Sequence, residues 1–375
     1  MKTLLPGATI GMLGGGQLGR MFTLAARSMG YRVHVYTSKP NSPTEQVADF
    51  ATVAEFDDID AIEKFAQSVD VVTYEFENVP AAAVQMLEQT VPTHPSSKVL
   101  FTAQHRLREK TFLSENGFPV ARFYAVSTAE DLEKGLQHTG TPAILKTAGF
   151  GYDGKGQAEV HDLQSAITAW ENLDRSEAVL EEKVLFNDEV SLVASRNAAG
   201  EFAHFGLIQN DHRNHILHLS HAPANAPKEL HQCAAEMVRD LCEALEVVGV
   251  ICVEFFRRGD ELIINEIAPR PHNSGHLTIE ACQTSQFEQQ LRAVCGLPPG
   301  PTDFLSPAVM VNLLGDLWEN GEPDWQKVLS QSGLHLHLYG KADARVGRKM
   351  GHITALGEDA KSKAENIFEH LKRIK

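Results

Sequence analysis

The chain has 375 residues, 43% hydrophobic and 22% charged, the composition of a globular protein long enough for two or three domains. Lys and Arg total 34 against 49 Asp and Glu, a formal charge of −15, so no basic excess exists to neutralise nucleic-acid phosphates. Five cysteines without a C-x-x-C pair read as reduced, packed thiols of a cytoplasmic protein, and no apolar run reaches the roughly 20 residues that cross a bilayer. Near the N-terminus, Pro6-Gly7 breaks the apolar stretch that a secretory leader would need.

Residues 8–13 predict a buried strand. The turn Gly14-Gly15-Gly16-Gln17-Leu18-Gly19, a helical pattern to Met29 and a second strand over residues 31–36 follow. This is the start of a doubly wound α/β unit. The turn has G-x-G-x-x-G spacing, but a dinucleotide site also wants an acid closing the second strand, which here ends Tyr36-Thr37-Ser38-Lys39. A tight structural turn and a phosphate site at a helix N-terminus are the other two readings. Residues 70–74 predict another strand, delivering Glu75-Phe76-Glu77-Asn78-Val79-Pro80 to the strand end, where open sheets bind ligands. Pro80 opens a helix over 81–89. The turn-rich residues 92–95 suggest a domain boundary near residue 100.

A helix is expected over residues 96–116, carrying Arg106, Arg108 and Lys110, and another over 127–138 from a Ser127-x-x-Glu130 capping box. Strand 142–148 carries Lys146. A glycine-rich loop, Gly149-Phe150-Gly151-Tyr152-Asp153-Gly154-Lys155-Gly156-Gln157, leads into strand 157–161. The match to G-x-x-x-x-G-K fails as a P-loop, because glycine follows the lysine and a strand, not a helix, comes next. Such a loop between antiparallel strands can still fold over phosphates. A helix over 162–173 and strands over 178–186, 189–195 and 202–209 follow. His212, His215, His218 and His221 recur every third residue, a period that on strands sends neighbours to opposite faces and argues against one metal cluster.

An amphipathic helix over 227–247 leads to a hairpin. Residues 250–256 carry Glu254. Residues 262–276 run from a strand carrying Glu266 into a polar loop with Arg270, His272, Asn273, Ser274 and His276. A hairpin centred on Asp260 sets Arg258 opposite Leu262, Phe256 opposite Ile264, and Glu254 opposite Glu266. Two facing carboxylates repel, and a divalent cation would offset the repulsion. A helix over 276–295 and a break at 297–301 follow. Strands over 308–313 and 334–339 flank a helix over 324–330. Lys341, Arg345, Arg348 and Lys349 crowd one glycine-containing loop suited to a small anion, and the chain closes with a helix over 358–375.

These residues are the parts of a nucleoside-triphosphate and divalent-metal site outside the P-loop and kinase classes, with separate anion loops for a second phosphorylated substrate. Lys146, Gly151–Gln157, Glu189-Val190-Ser191, Glu254, Asn265-Glu266 and Pro269–His276 together resemble the ATP-grasp superfamily. With Gly14–Arg20, Thr73–Val79 and Gly347–His352, the resemblance narrows to the 5-(carboxyamino)imidazole ribonucleotide synthases of purine biosynthesis and covers nearly the whole chain. It implies a mixed α/β and α+β architecture. A doubly wound, Rossmann-like pre-ATP-grasp domain would occupy residues 1–100, a two-lobed ATP-grasp domain 101–298, and a small C-terminal domain with an anion loop 299–375. It also implies an ADP-forming ligase that carboxylates 5-aminoimidazole ribonucleotide with bicarbonate and ATP through carboxyphosphate, acting as a homodimer.

Residue by residue, the resemblance assigns Arg106, Lys146 and Gly151, Tyr152, Asp153, Gly154, Lys155, Gly156 and Gln157 to the ATP phosphates. Glu181, Glu182, Lys183 and Val184 would line the adenine slot, Glu189 would bind the ribose, and His212 would reach the nucleotide. Glu254, Glu266 and Asn265 would hold Mg²⁺ or Mn²⁺. Asp153 would orient or deprotonate the substrate amine, with Tyr152 and Glu75 near it. Arg270, Lys341 and Arg348 would hold the ribonucleotide phosphate or carboxyphosphate, beside Gly16, Gln17, His272, Asn273 and Ser274. One departure is Glu182, where many relatives have glutamine; adenine is read there largely through backbone, so little consequence is expected. Rival readings are a formate-dependent glycinamide ribonucleotide transformylase, a biotin carboxylase, a nicotinamide-dependent oxidoreductase and a catalytically silent nucleotide-binding regulator.

Overall fold

The computed structural model describes residues 2–149 and 156–373. Its N-terminal part is a parallel sheet of β1 (Thr9–Leu13), β2 (Arg32–Thr37), β3 (Phe50–Val53) and β4 (Val71–Tyr74), ordered β3-β2-β1-β4. Helices α1 (Gln17–Ser28), α2 (Ile59–Ala66) and α3 (Ala81–Glu88) connect the strands. β1 and β4 are buried at every position, as helices packed on both faces of a parallel sheet require. Gly14, with φ +107°, makes the turn from β1 into α1 that a side chain would strain. The expected strands and the Pro80 helix start are present. β3 and α2 were not expected, because β3 is an edge strand with no buried residue and shows no apolar alternation.

The helix expected over 96–116 is two helices, α4 (Ser97–Ala103) and α5 (Arg106–Glu115). It breaks because His105 turns to an extended conformation and bridges Gly149, and the Arg106 amide donates to the Ala148 carbonyl at 2.7 Å. Strand pairing outcompetes helix continuation there. A four-stranded antiparallel sheet follows, ordered β5-β8-β6-β7, from β5 (Phe123–Val126), β6 (Ala143–Thr147), β7 (Gln157–Val160) and β8 (Ala178–Glu182). Helices α6 (Ala129–Thr139) and α7 (Leu163–Asn172) back it. The capping box of α6 lies one residue later than expected, with Thr128 accepting from the Asp131 amide and Asp131 accepting from the Thr128 amide. β8 ends at Glu182, four residues short of the expected strand.

An eight-stranded sheet forms the body, ordered β13-β12-β9-β10-β11-β14-β16-β15. Its strands are β9 (Asp188–Arg196), β10 (Phe202–Arg213), β11 (Ile216–Ala222), β12 (Gly249–Arg258), β13 (Glu261–Ala268), β14 (Ala308–Leu314), β15 (Leu334–Leu338) and β16 (Lys349–Leu356). Helix α8 (Lys228–Ala244) lays Leu230, Ala234, Val238 and Leu241 on Leu192, Ile251, Val253 and Ile264 of the sheet. Each fully buried Leu, Val or Ile among them contributes about 1.5–3 kcal/mol. β14 pairs with β11, so the C-terminal strands extend the central sheet. β16 was not expected; the basic loop ends at Arg348, where the pattern had suggested loop as far as His352.

The single helix expected over 276–295 is a 3₁₀ turn (Asn273–Leu277), α9 (Thr278–Ala281) and α10 (Gln286–Val294). Cys282 leaves the helix to bridge Phe304, and Ser285 restarts it by accepting from the Glu288 amide. Two further helices, α11 (Trp325–Leu329) and α12 (Ala360–Arg373), complete the chain. Among the described residues, no helix is long and apolar enough to cross a membrane.

Candidate active site

The site is built around the β12–β13 hairpin. Gly259 and Asp260 form its turn, so Arg258 faces Glu261, Arg257 faces Leu262, Phe256 faces Ile263 and Phe255 faces Ile264. The expected pairs Arg258–Leu262 and Phe256–Ile264 are therefore one residue off. A bulge then leaves Asn265 unpaired, and beyond it Glu254 faces Glu266 as expected. One extra residue in β13, Asn265, restores that pairing and directly precedes Glu266 in the chain. Burial, and then the charge of Glu266, raises the Glu254 pKa to about 7. Two carboxylates and an amide are hard oxygen donors. The set fits a small divalent cation that completes its shell with phosphate oxygens and water. Among the described residues, no three His, Cys, Asp or Glu side chains form a metal cage.

Helix α5 brings a second layer up behind the hairpin. Glu109 accepts from the Ile267 amide at 3.3 Å, and its pKa rises to about 8 through burial and the charge of Glu266. The next residue, Lys110, lies 3.2 Å from the Glu181 carboxylate and donates to the Asn265 carbonyl at 3.3 Å. Lys146, on β6, reaches the same Glu181 oxygen at 3.1 Å. Burial opposes the Glu181 charge, but the two lysines outweigh it and hold its pKa below the ordinary range. Both lysines engage one Glu181 oxygen; the other is buried without a hydrogen-bond partner among the described residues. Glu182 pairs with Arg122 at 2.6 Å and Lys183 with Glu159 at 2.7 Å. The chain has left the strand by Val184, and the exposed apolar residues Leu185 and Phe186 follow.

Glu189 and His212 face one another at 2.7 Å across β9 and β10. Burial works against a charge on His212, but Glu189 raises its pKa overall. The other members of the histidine run diverge: Gln157 contacts His215 at 3.3 Å, while His218 packs against Phe368. Arg106 donates to the Thr147 carbonyl at 2.9 Å, at the foot of the glycine-rich loop. Gly151, Tyr152, Asp153, Gly154 and Lys155 lie outside the described residues. Gly156 closes that loop with φ +73°, and a Cβ there would meet Thr147 at 2.7 Å.

Beyond Glu266 the chain turns into the loop toward the N-terminal domain. His272 lies 3.3 Å from Glu254 and 2.9 Å from the Ser274 hydroxyl, and burial keeps its pKa well below the ordinary value. Asn273 is buried, with neither amide atom partnered among the described residues, as suits a group aimed at a ligand. Arg270 Nε lies 2.6 Å from Glu77, and its Nη1 donates to the Pro271 carbonyl. Burial opposes the Arg270 charge, yet Glu77 raises its pKa. Glu75 accepts from the Gly16 amide and, at 2.9 Å, from the Gly19 amide; burial raises its pKa, against the pull of those amides and of the Arg270 and Lys341 charges. Lys341 donates to the Lys349 carbonyl at 2.6 Å, and Arg348 to the Asp343 carbonyl at 2.8 Å.

The anion-binding end of α1, beside Gln17, is thereby filled by the protein's own carboxylate. A dinucleotide pyrophosphate would have to displace buried Glu75, which removes the nicotinamide reading. Sequence patterns missed Glu77, Glu109, Lys110 and Lys349 as parts of the site. Glu77 sits two residues from Glu75 in a segment already singled out. Lys349 lay within the basic loop, and its charge acts on Glu254, His212 and His272.

A glycine-turn domain, an antiparallel sheet with a lysine at its glycine loop, and facing carboxylates on the central sheet define a protein of the ATP-grasp class. Three domain models match in succession: the ribonucleotide synthetase preATP-grasp domain over residues 7–104, the ATP-grasp domain over 111–287, and the phosphoribosylaminoimidazole carboxylase C-terminal domain over 308–366. The chain is 43% identical over 354 residues to the N5-carboxyaminoimidazole ribonucleotide synthase of Bacillus subtilis (strain 168), covering 94% of this chain and 92% of that protein. An ADP complex of N5-carboxyaminoimidazole ribonucleotide synthetase superposes with a TM-score of 0.93 at 42% identity, covering 100% of both chains. The Aspergillus clavatus synthase bound to ADP and 5-aminoimidazole ribonucleotide gives 0.89 at 30% identity, over 98% of this chain and 99% of that one. Against the bifunctional purine synthesis protein purC/E of Dictyostelium discoideum, identity is 42% over 94% of this chain, which spans 37% of that protein's length. The chain belongs to the N5-carboxyaminoimidazole ribonucleotide synthase family.

Proposed function

We propose that this protein is an ADP-forming carbon–nitrogen ligase that carboxylates 5-aminoimidazole ribonucleotide in purine biosynthesis, using ATP and bicarbonate. The observation that carries this reading is the continuous segment from Glu266 to Ser274. One end faces Glu254 across the hairpin, and the other places Arg270 beside Glu77 in range of Glu75. A bicarbonate oxygen attacks the γ-phosphorus, the bond to the β-phosphate oxygen breaks, and ADP leaves with carboxyphosphate as the other product. The exocyclic amine of the ribonucleotide then takes the carboxyl group, and phosphate departs.

Glu254, Glu266 and Asn265 would hold Mg²⁺ or Mn²⁺, which when bound neutralises phosphate charge during transfer. Arg106, Lys146 and the loop 151–157 would hold the ATP phosphates, with Glu189 and His212 at the ribose and residues 181–184 along the adenine. Asp153 would orient the amine. Arg270, Lys341 and Arg348 would stabilise the anions as charge develops on them. His272, kept neutral by burial, can donate from one ring nitrogen and accept at the other without adding charge beside Glu254. The same reading makes the protein a cytoplasmic homodimer, which sedimentation would check.

ADP release measured with each substrate omitted in turn tests the assignment. Turnover should require ATP, bicarbonate and 5-aminoimidazole ribonucleotide together. Equal turnover with formate and glycinamide ribonucleotide would overturn it.

A further inference from the structure

Helix α10 carries three fully buried glutamines on one face, Gln286, Gln289 and Gln290, at i, i+3 and i+4. Its neighbouring face is apolar: Phe287, Leu291 and Val294 pack against Met21 and Phe22 of α1. Anchoring the helix would need only that apolar face. Burying an amide is costly unless every polar atom finds a partner, and here each amide does so in a different segment. Gln289 donates to the Gly300 carbonyl at 2.6 Å and accepts from its amide at 3.1 Å. Gln290 donates to Thr73 on β4 at 2.7 Å and accepts from the Val250 amide on β12.

Gln286 holds the loop of the site. Its Oε1 accepts from the His272 amide at 2.8 Å. Its Nε2 donates to the His272 carbonyl at 2.7 Å and lies 3.0 Å from His276 Nδ1. The first two bonds fix which amide atom is oxygen and which is nitrogen. Nδ1 of His276 must therefore accept, and the proton of that ring must sit on Nε2. Gly275 lies under the same amide; a Cβ there would meet Gln286 Oε1 at 2.5 Å.

We propose that Gln286 is a positioning residue for the acceptor half of the reaction, clamping both sides of Asn273-Ser274 and setting the tautomer of His276. This rests on the function proposed above. The clamp joins the loop to the helix that also ties β4, the strand leading into Glu75 and Glu77, to β12, the strand carrying Glu254. Displacing such a loop by about 1 Å is enough to cost about 10²-fold in rate.

The test compares Gln286→Met with Gln289→Met, which removes an equally buried amide that holds only Gly300. Gln286→Met should lower kcat/KM for 5-aminoimidazole ribonucleotide by about 10²-fold while the KM for ATP stays within about twofold. Gln289→Met should lower Tm to a similar degree without that split. Equal losses in both variants, or a Gln286→Met effect spread evenly over ATP and acceptor, would overturn the proposal. An independent readout is the ¹⁵N spectrum of His276. Protonation at Nε2 is expected in the parent. A parent spectrum showing Nδ1–H contradicts the clamp even if the substrate assignment stands. A parent that releases no ADP with this acceptor defeats the function reading, and the tautomer still decides the clamp.

Discussion

Glu254 shows how the site stores unfavourable charge. Its carboxyl is buried across the ladder from Glu266, and its pKa is raised to about 7. A folded pKa above the unfolded value means that the folded chain holds the proton more tightly. Stability is then greatest below the ordinary carboxylate range and falls as pH rises through 7. Glu254→Gln should therefore melt higher than the parent at about pH 8, by on the order of 2 kcal/mol, and show little gain near pH 4. It should also release no ADP, because a neutral amide would replace the carboxylate proposed to hold the cation. Melting curves at the two pH values check the first point; a variant destabilised equally at both would remove the repulsion. Arg270→Ala should lower carboxylation by about 10²–10³-fold while leaving ATP affinity intact. Isothermal titration with a non-hydrolysable ATP analogue checks this, and loss of ATP binding alone would argue against the two-ended site. At this scale the sequence named the right pair of carboxylates from a turn signal and a strand period, but its register was one residue off, and the pair forms because the bulge at Asn265 makes up the difference. The Arg270–Glu77 ion pair was not legible, because nothing local in either segment names a partner 193 residues away in number, 270 − 77.

Helix α5 is the element that binds the two sheets together. Lys110 reaches Glu181 near the end of β8 in the antiparallel sheet and the Asn265 carbonyl at the bulge of the central one. Lys110→Met should leave Glu181 with Lys146 alone and cost about 3 kcal/mol at neutral pH. The Glu181 pKa is depressed, so its contribution is present above the ordinary carboxylate value and is lost in acid. The destabilisation should accordingly shrink as the pH falls below about 4, which denaturant titrations at two pH values would show. A cost independent of pH would mean that Lys110 acts by packing alone. The break before α5 and the bulge at Asn265 were both illegible for one reason. Each trades local regularity for a backbone contact made in another segment, His105 with Gly149 and β13 with β12. The histidine run was legible because strand geometry alone separates its members.

Across the whole molecule, the C-terminal strands β14, β16 and β15 continue the central sheet, and the basic loop enters the site along its edge. Gln46 of the N-terminal domain donates to the Gly340 carbonyl at 2.9 Å, holding that loop toward Glu75. Three sequence regions thus meet around Glu75, where the acceptor is proposed to bind. The sequence resembled its family closely enough to indicate the family and its fold class. It left out β16 and the path of the C-terminal strands, because a basic, glycine-broken run carries no strand period until its last residues. The central claim is that bicarbonate is activated by phosphate at one end of this segment and passed to the amine at the other. Turnover with ¹⁸O-labelled bicarbonate tests that claim most directly. One labelled oxygen should appear in the inorganic phosphate for each carboxylated product. Unlabelled phosphate at full turnover would contradict it.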